Sequence, residues 1–259
     1  MRHSFLAGLE HYQCPSDSSS TGVPPLILHH MEDAVIKIQS GHSRPRPVIQ
    51  TPTGDVVGFL SPLNVRMLDD APLMDLMTRW RIRHAYAFAS TFSPTVERTR
   101  AWLRDTVLTD SRRLLFLINH AERPIGHIGF RDLTPEGYQG DNLVRGERGG
   151  GINFMQYAAW AFHAWAMQHF GVSRTWGRVL ASNASAIHFN LTLGHTIDRR
   201  VPCFSRIVDG GVVLDEHPCQ ADEKPADEFV YVSLTWDNLL RAAPAATLRA
   251  DLQDSGNSW

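Results

Sequence analysis

Apolar and polar positions alternate in different ways along the chain, and the changes mark its parts. Residues 1 to 60 carry PSDSSSTGVPP and SGHSRPRPVIQTPTGD, whose Ser, Pro and Gly break any period. They predict a partly irregular, poorly packed N-terminal extension. Its best candidates for order are LILHHMEDAVIKI and PVIQTPTGDVVGFL, the latter a hairpin with turn chemistry in Thr-Gly-Asp. Residues 61 to 238 are regular. LNVRML predicts a short strand, and Asp69 or Asp70 then caps a helix through APLMDLMTRWRIRHAYAF. SPTVERTRAWLRDTVL opens a second helix, with Ser93 as cap, Pro94 at the first helical position and Glu97 behind it. RLLFLINH and RPIGHIGFRDL form a hairpin across AER, and DNLVRG makes another strand. INFMQYAAWAFHAWAMQHF has helical spacing of its large apolar residues and stops at Gly171. SRTWGRVL reads as a strand, SNASAIHFNLTLG as a short helix opened by Ser182 or Asn183 and ended by Gly194. HTID, FSRIV, VVL and FVYVSLTW complete a strand-rich part that turns at Asp209-Gly210-Gly211, and residues 239 to 259 form a peripheral tail.

Composition narrows the classes. A hydrophobic share of 43% over 259 residues suits a globular domain, and a formal net charge of -2 supplies no basic field for nucleic acid. Cys14, Cys203 and Cys219 are odd in number and lack the spacing of a disulfide framework or a zinc site, so a reducing cytoplasm is expected. His29, His30 and Glu32 in LHHME, read as a strand, point to opposite sides, and no metal is expected there. No apolar run suggests a signal peptide or a membrane span, so the protein is expected to be soluble, with no membrane partner.

Gly149, Gly150 and Gly151 stand between the strand DNLVRG and the long helix. Glycine is entropically costly there, yet it lets backbone N–H groups converge at the positive end of a helix dipole without Cβ atoms in the way. That is an anion site, to which Arg145 and Arg148 can add charge; the plainer alternative is a tight turn with solvated arginines. Neither a P-loop nor a dinucleotide fingerprint is present.

In its order of strand, glycine turn, long helix, strand and Asn-capped short helix, the sequence resembles the GNAT superfamily of acyl-CoA-dependent N-acyltransferases over roughly residues 62 to 236. Gly149-Gly150-Gly151 matches the G-x-G part of that family's pyrophosphate loop. Counting back from Gly149 reaches Gly146 where the family has Gln or Arg, the arginines here being Arg145 and Arg148. Asn183, Ala186, Phe189, Asn190 and Gly194 match the pattern of the following helix. DNLVRG and the helix containing WA also look like a bacterial branch associated with amino-sugar modification.

The resemblance implies an α/β fold, a twisted mixed sheet flanked by helices on both faces, in which DNLV parts from RTWGRV beyond a bulge. It implies acetyl-CoA as co-substrate, with backbone N–H groups near Leu143 and Val144 pairing with the pantetheine arm and residues Arg148 to Ile152 holding the pyrophosphate. Asn183 would bond the pantetheine, cap its helix, or both. Asn190 stands where many relatives carry a Tyr that protonates the thiolate; Asn cannot do that but can hydrogen-bond the sulfur. The first candidate base is Asp141, alternatively a solvated loop Asp, and His127 faces either cleft or core. His188 and His195 are weaker candidates. The expected partner is a small-molecule amine, an amino sugar first; a protein N-terminus, another small amine, or a CoA sensor without catalysis are the alternatives. The C-terminal hairpin would close the cleft or form a homodimer contact.

Overall fold

The structure is a computed structural model that describes residues 25–91, 93–208, 211–218 and 222–248. Along the chain come α1 (Pro25–Gln39), β1 (Val48–Gln50), β2 (Val56–Pro62), α2 (Ala71–Arg83), β3 (Ser90–Thr91), α3 (Val96–Trp102), β4 (Leu114–His120) and β5 (Arg123–Thr134). They are followed by β6 (Gly137–Arg145), α4 (Phe154–Phe170), β7 (Arg174–Leu180), α5 (Ala184–Leu193), β8 (Thr196–Val208), β9 (Gly211–Asp215), β10 (Asp227–Thr235) and α6 (Trp236–Ala242). The strands line up as β1-β2-β4-β5-β6-β7-β10-β8-β9-β3. Every neighbouring pair is antiparallel except β6 and β7, which are parallel.

Strand β4 explains the layering. Its run LLFLI is buried on both faces, so it is continuously apolar rather than alternating. Leu114, Phe116 and Ile118 meet α4, with Phe116 edge-on to Trp165 at 4.8 Å. Leu115 and Leu117 meet Met74, Met77 and Trp80 of α2 and Leu103 in the turn that follows α3. Helix α4 is apolar nearly all round, because the sheet lies against one side and α1, α5 and α6 against the others. Gly171 ends it in the left-handed region at φ 66°, where glycine has no Cβ penalty.

Several sequence expectations need correction. From Pro25 onward the N-terminal segment is not a loose extension: Met31, Val35, Ile38, Ile49 and Leu60 are buried in the same core as α4. LHHME lies in helix α1 rather than a strand, because Met31, Val35 and Ile38 repeat at helical spacing and face inward. LNVRML is not a strand; Val65–Asp69 form a 3-10 turn capped by Asn64. The cap of α3 is Thr95, whose Oγ1 accepts from the Arg98 N–H, not Ser93. Residues 239–248 are not peripheral, since Leu239 and Thr247 are buried. Residues 1–24, Asp209, Gly210, Cys219 and the end of the tail lie outside the described residues.

Candidate active site

Strands β6 and β7 begin as partners and then separate. Tyr138 pairs with Thr175 and Gln139 with Trp176, and the ladder goes no further. The cause lies on the other edge of β6. The β5–β6 register jumps between Val144 opposite His127 and Asp141 opposite Gly129, and Asn142 adopts φ 53°. Such a bulge bends a strand and increases its twist, so residues 141–145 swing away from β7. A wedge opens between the two strands at their C-terminal ends.

The glycine turn closes one side of the wedge. The strand does not run straight into the helix: residues 146–153 form a loop between Arg145 and Phe154. Gly150 and Gly151 both have left-handed backbones, at φ 71° and φ 83°. A Cβ on Gly150 would lie 2.2 Å from the buried Phe154 ring, whereas one on Gly151 would meet open space. Arg145 donates to the Gly149 carbonyl at 2.9 Å and the Gly151 carbonyl at 3.3 Å, so it braces the loop. Arg148 is exposed, as is Ile152 at 90%. Asn153, at the N-cap of α4, makes no side-chain cap bond. The first N–H groups of that seventeen-residue helix therefore have no capping side chain, and the positive end of its dipole faces the loop.

Helix α2 supports the loop from below. Gly146 lies flat against Trp80, where a Cβ would fall 2.0 Å from the indole. The Trp80 Nε1–H donates to Glu147 at 3.0 Å, Arg83 donates to the Gly146 carbonyl, and His84 Nε2 lies 2.9 Å from the Arg145 carbonyl. The fixing of this turn by Trp80 escaped the sequence reading, although an unexplained glycine next to the strand was its visible signal.

The remaining sequence candidates are distributed as follows. Asn183 caps α5, its Oδ1 accepting from the Ala186 N–H at 3.1 Å. Asn190 bonds back to the Ala186 carbonyl at 2.8 Å through one of its two amide hydrogens. Asp141 is paired with Arg113 at 3.3 Å and accepts from Asn142 Nδ2 at 2.5 Å, both on Oδ2. His127 belongs to the core: it is wholly buried, Nδ1 lies 2.6 Å from the Asn142 carbonyl, and Nε2 has no hydrogen-bond partner. Burial pushes its pKa down to about 4, outweighing the bond to Asn142. It therefore pins the bulge as a neutral ring rather than facing the wedge. Arg81 is buried between Phe88 and Trp102, 5.0 and 4.4 Å from the ring centres. Burial lowers its pKa to about 10, and Asp141 opposes that shift.

Across the wedge lies the face of β7, β10 and β8 turned away from α4, where among the described residues no helix contributes to the buried cluster. Leu180, Cys203, Phe229 and Tyr231 form a small cluster under Leu214 and Ala89. Beside it Glu216 accepts from Arg178 at 3.1 Å and from the Tyr231 hydroxyl. Burial and that bond raise the Tyr231 pKa to about 12. Sequence reading missed this group, because its members are far apart in the chain and match no motif.

Behind the wedge, Tyr138 Oη and His163 Nδ1 are 2.9 Å apart, and the His163 and His195 rings lie 5.7 Å apart. Burial lowers His163 to about 3 and His195 to about 4. Among the described residues no cluster of three or more His, Cys, Asp or Glu is placed to hold a metal, and no helix is long and apolar enough to cross a membrane.

A split parallel pair, a bulged strand and a glycine loop at an uncapped helix lie together here, and the start of a helix favours an anionic group. A family model described as an acetyltransferase (GNAT) domain matches residues 61–196, more than half of the chain, and the chain belongs to that family. It is an acyl-CoA-dependent N-acetyltransferase; GNAT acetyltransferases use acetyl-CoA as co-substrate. Solved structures share the fold. A GCN5-related N-acetyltransferase from Brucella melitensis is 14% identical with TM-score 0.55, over 79% of this chain and 86% of that one. An acetyl transferase from Salmonella typhimurium that modifies the N-terminal serine of a 50S ribosomal subunit protein is 11% identical with TM-score 0.52, over 70% and 96%. FdhC, described as a nucleotide-linked sugar GNAT, is 12% identical with TM-score 0.50, over 71% and 90%. No curated protein matches the sequence.

Proposed function

We propose that the protein transfers an acetyl group from acetyl-CoA to the primary amine of an amino sugar, by direct attack within a ternary complex. The observation that carries the acyl-CoA part is the wedge between β6 and β7, opened by the Asn142 bulge and ending at the glycine loop. The pantetheine arm would lie in the wedge against the backbone of Leu143 and Val144, and the pyrophosphate against Arg148 to Ile152, with Arg145 bracing the loop. Beyond Gln139 the edge of β6 that faces β7 pairs with no strand and can pair with an amide-bearing ligand, and the helix N-terminus favours its negative charge.

In the reaction the neutral amine attacks the thioester carbonyl, a C–N bond forms, and the tetrahedral oxyanion collapses with cleavage of C–S. The amine gives up a proton to solvent and the departing thiolate takes one back. Holding both reactants in the wedge supplies proximity, and backbone N–H donors near the bulge would stabilise the oxyanion. Asn190 would offer its second amide hydrogen to the sulfur. Asp141 would keep Arg113 and Asn142 in place at the bulge and pass the amine's proton to water. Support for a sugar acceptor comes from the branch resemblance of DNLVRG and from the sugar-modifying GNAT among the structures that share the fold.

The test is CoA release from acetyl-CoA with glucosamine, a nucleotide-linked amino sugar, a peptide beginning with serine, and spermidine. The reading expects turnover with an amino sugar and an N-acetyl product by mass spectrometry. Turnover confined to the peptide would replace the acceptor class, and an acyl group trapped on a cysteine would contradict direct attack.

A further inference from the structure

We infer that Glu216, held by Arg178 and Tyr231, is the residue that binds the acceptor's amino group as an ammonium, before a proton passes to water and the neutral amine attacks; this rests on the acyltransferase reading above. Arg178 stands two residues beyond Trp176, the last residue of β7 that pairs with β6, so it lies on the strand that borders the open wedge. Tyr231 is its partner in register on β10. Glu216 follows β9, a short strand fixed over this face by the Leu214 N–H, which donates to the Ala89 carbonyl at 2.8 Å. The hairpin of β8 and β9 thus carries one carboxylate to Arg178, on the strand that borders the wedge.

The bonding of that carboxylate is lopsided. Both donors, Arg178 and the Tyr231 hydroxyl, fall on Oε1. Among the described residues nothing bonds Oε2, and it is not among the buried atoms lacking a partner, so it opens outward. The Glu216 side chain is only 17% exposed and that of Arg178 19%. A carboxylate and a guanidinium withdrawn from water to this degree contribute little to stability compared with apolar residues of similar size. Their use is the orientation of the open oxygen. An ammonium group has three donors and fits one carboxylate oxygen, whereas a neutral hydroxyl in its place would gain less. The selection of an amine over its hydroxyl counterpart follows from that difference. The same group also explains why the hairpin is anchored by a polar cluster at its base rather than by packing alone.

The alternative is that the cluster only fastens the hairpin. Glu216→Gln separates the two, because the amide oxygen can still accept from Arg178 and Tyr231 while the charge is gone. With the amine that the acceptor panel identifies, the inference expects the acceptor KM to rise about tenfold or more while the acetyl-CoA KM stays within about twofold. Glu216→Asp is expected to recover part of the loss, and Tyr231→Phe, which keeps the charge, to raise the acceptor KM less than Glu216→Gln. An acceptor KM unchanged in Glu216→Gln, or both KM values rising together with a fall in Tm, would overturn the inference while leaving the acyltransferase reading intact. Absence of turnover by the wild-type protein with every amine of the panel would remove both, and that result is seen before any variant is made.

Discussion

The two sides of the β6–β7 wedge are built from different materials. The β6 side is made by backbone: a bulge at Asn142, two left-handed glycines and the uncapped start of α4, with Trp80 and Arg83 of α2 and its C-cap His84 holding Arg145, Gly146 and Glu147 between them. The β7 side is made by side chains: Arg178, Glu216 and Tyr231 around a small apolar cluster. A ligand part common to all acyl-CoA molecules can be bound by backbone groups, which every sequence carries. An acceptor that varies among relatives calls for side chains that can change without disturbing the fold. On the proposed function, the shared co-substrate falls to the backbone side and the acceptor to the side-chain side.

The comparison can be broken hardest at Trp80. Trp80→Ala removes the indole that lies over Gly146 and packs near His127, 5.9 Å between ring centres. The expected cost is about 3–5 kcal/mol in denaturant unfolding, with loss of acetyl-CoA binding. An unfolding midpoint close to wild type would show that α2 does not hold the β6 side.

Acid acts next, and through the same side first. His127, His163 and His195 are all depressed by burial, to about 4, 3 and 4. In the unfolded chain each takes up a proton near pH 6.5, so the folded state binds fewer protons below that value. Their contribution is complete above about pH 6.5 and is lost as pH falls toward 4. For His127 alone the loss is on the order of 3 kcal/mol. Unfolding midpoints that stay constant between pH 7 and pH 4.5 would contradict the buried neutral rings.

Leu214→Ala probes the other side with a smaller effect. Leu214 is partly buried over the cluster of Leu180, Cys203, Phe229 and Tyr231, so about 1 kcal/mol of stability should be lost. Acceptor KM should rise and acetyl-CoA affinity stay the same. Equal loss of both affinities would mean that the two sides are not separable.

Legibility in the sequence follows the same division. Gly149 to Gly151, the Asn183 cap and the stop at Gly194 are local, encoded within a few residues, and the structure has a turn before α4, a capped α5 and its end at those positions. The layered mixed sheet was legible only through the family resemblance, which rests on the glycine turn, the Asn183 helix and the order of elements around them. Helix α1 was harder, because Met31, Val35 and Ile38 lie among Ser- and Pro-rich stretches that suggested looseness, and only the facing core shows what they bury. His127 was ambiguous for a similar reason: a strand residue faces cleft or core according to register, and here the bulge sets the register. Glu216 was out of reach, since only the β10 ladder and the β8–β9 hairpin bring it to Arg178 and Tyr231.

The most direct measurement is titration calorimetry of acetyl-CoA into the wild-type protein and into Gly151→Asp. A Cβ at Gly151 meets open space, and Asp tolerates a left-handed backbone better than most residues, so the variant should keep its fold. Its carboxylate would occupy the loop with the same sign of charge as the pyrophosphate. The account predicts micromolar binding by the wild type and a loss of about a hundredfold or more in the variant, with a folded protein whose stability falls only by what a left-handed residue costs, about 1 kcal/mol. Equal binding by the two proteins would contradict the glycine loop as the seat of the pyrophosphate.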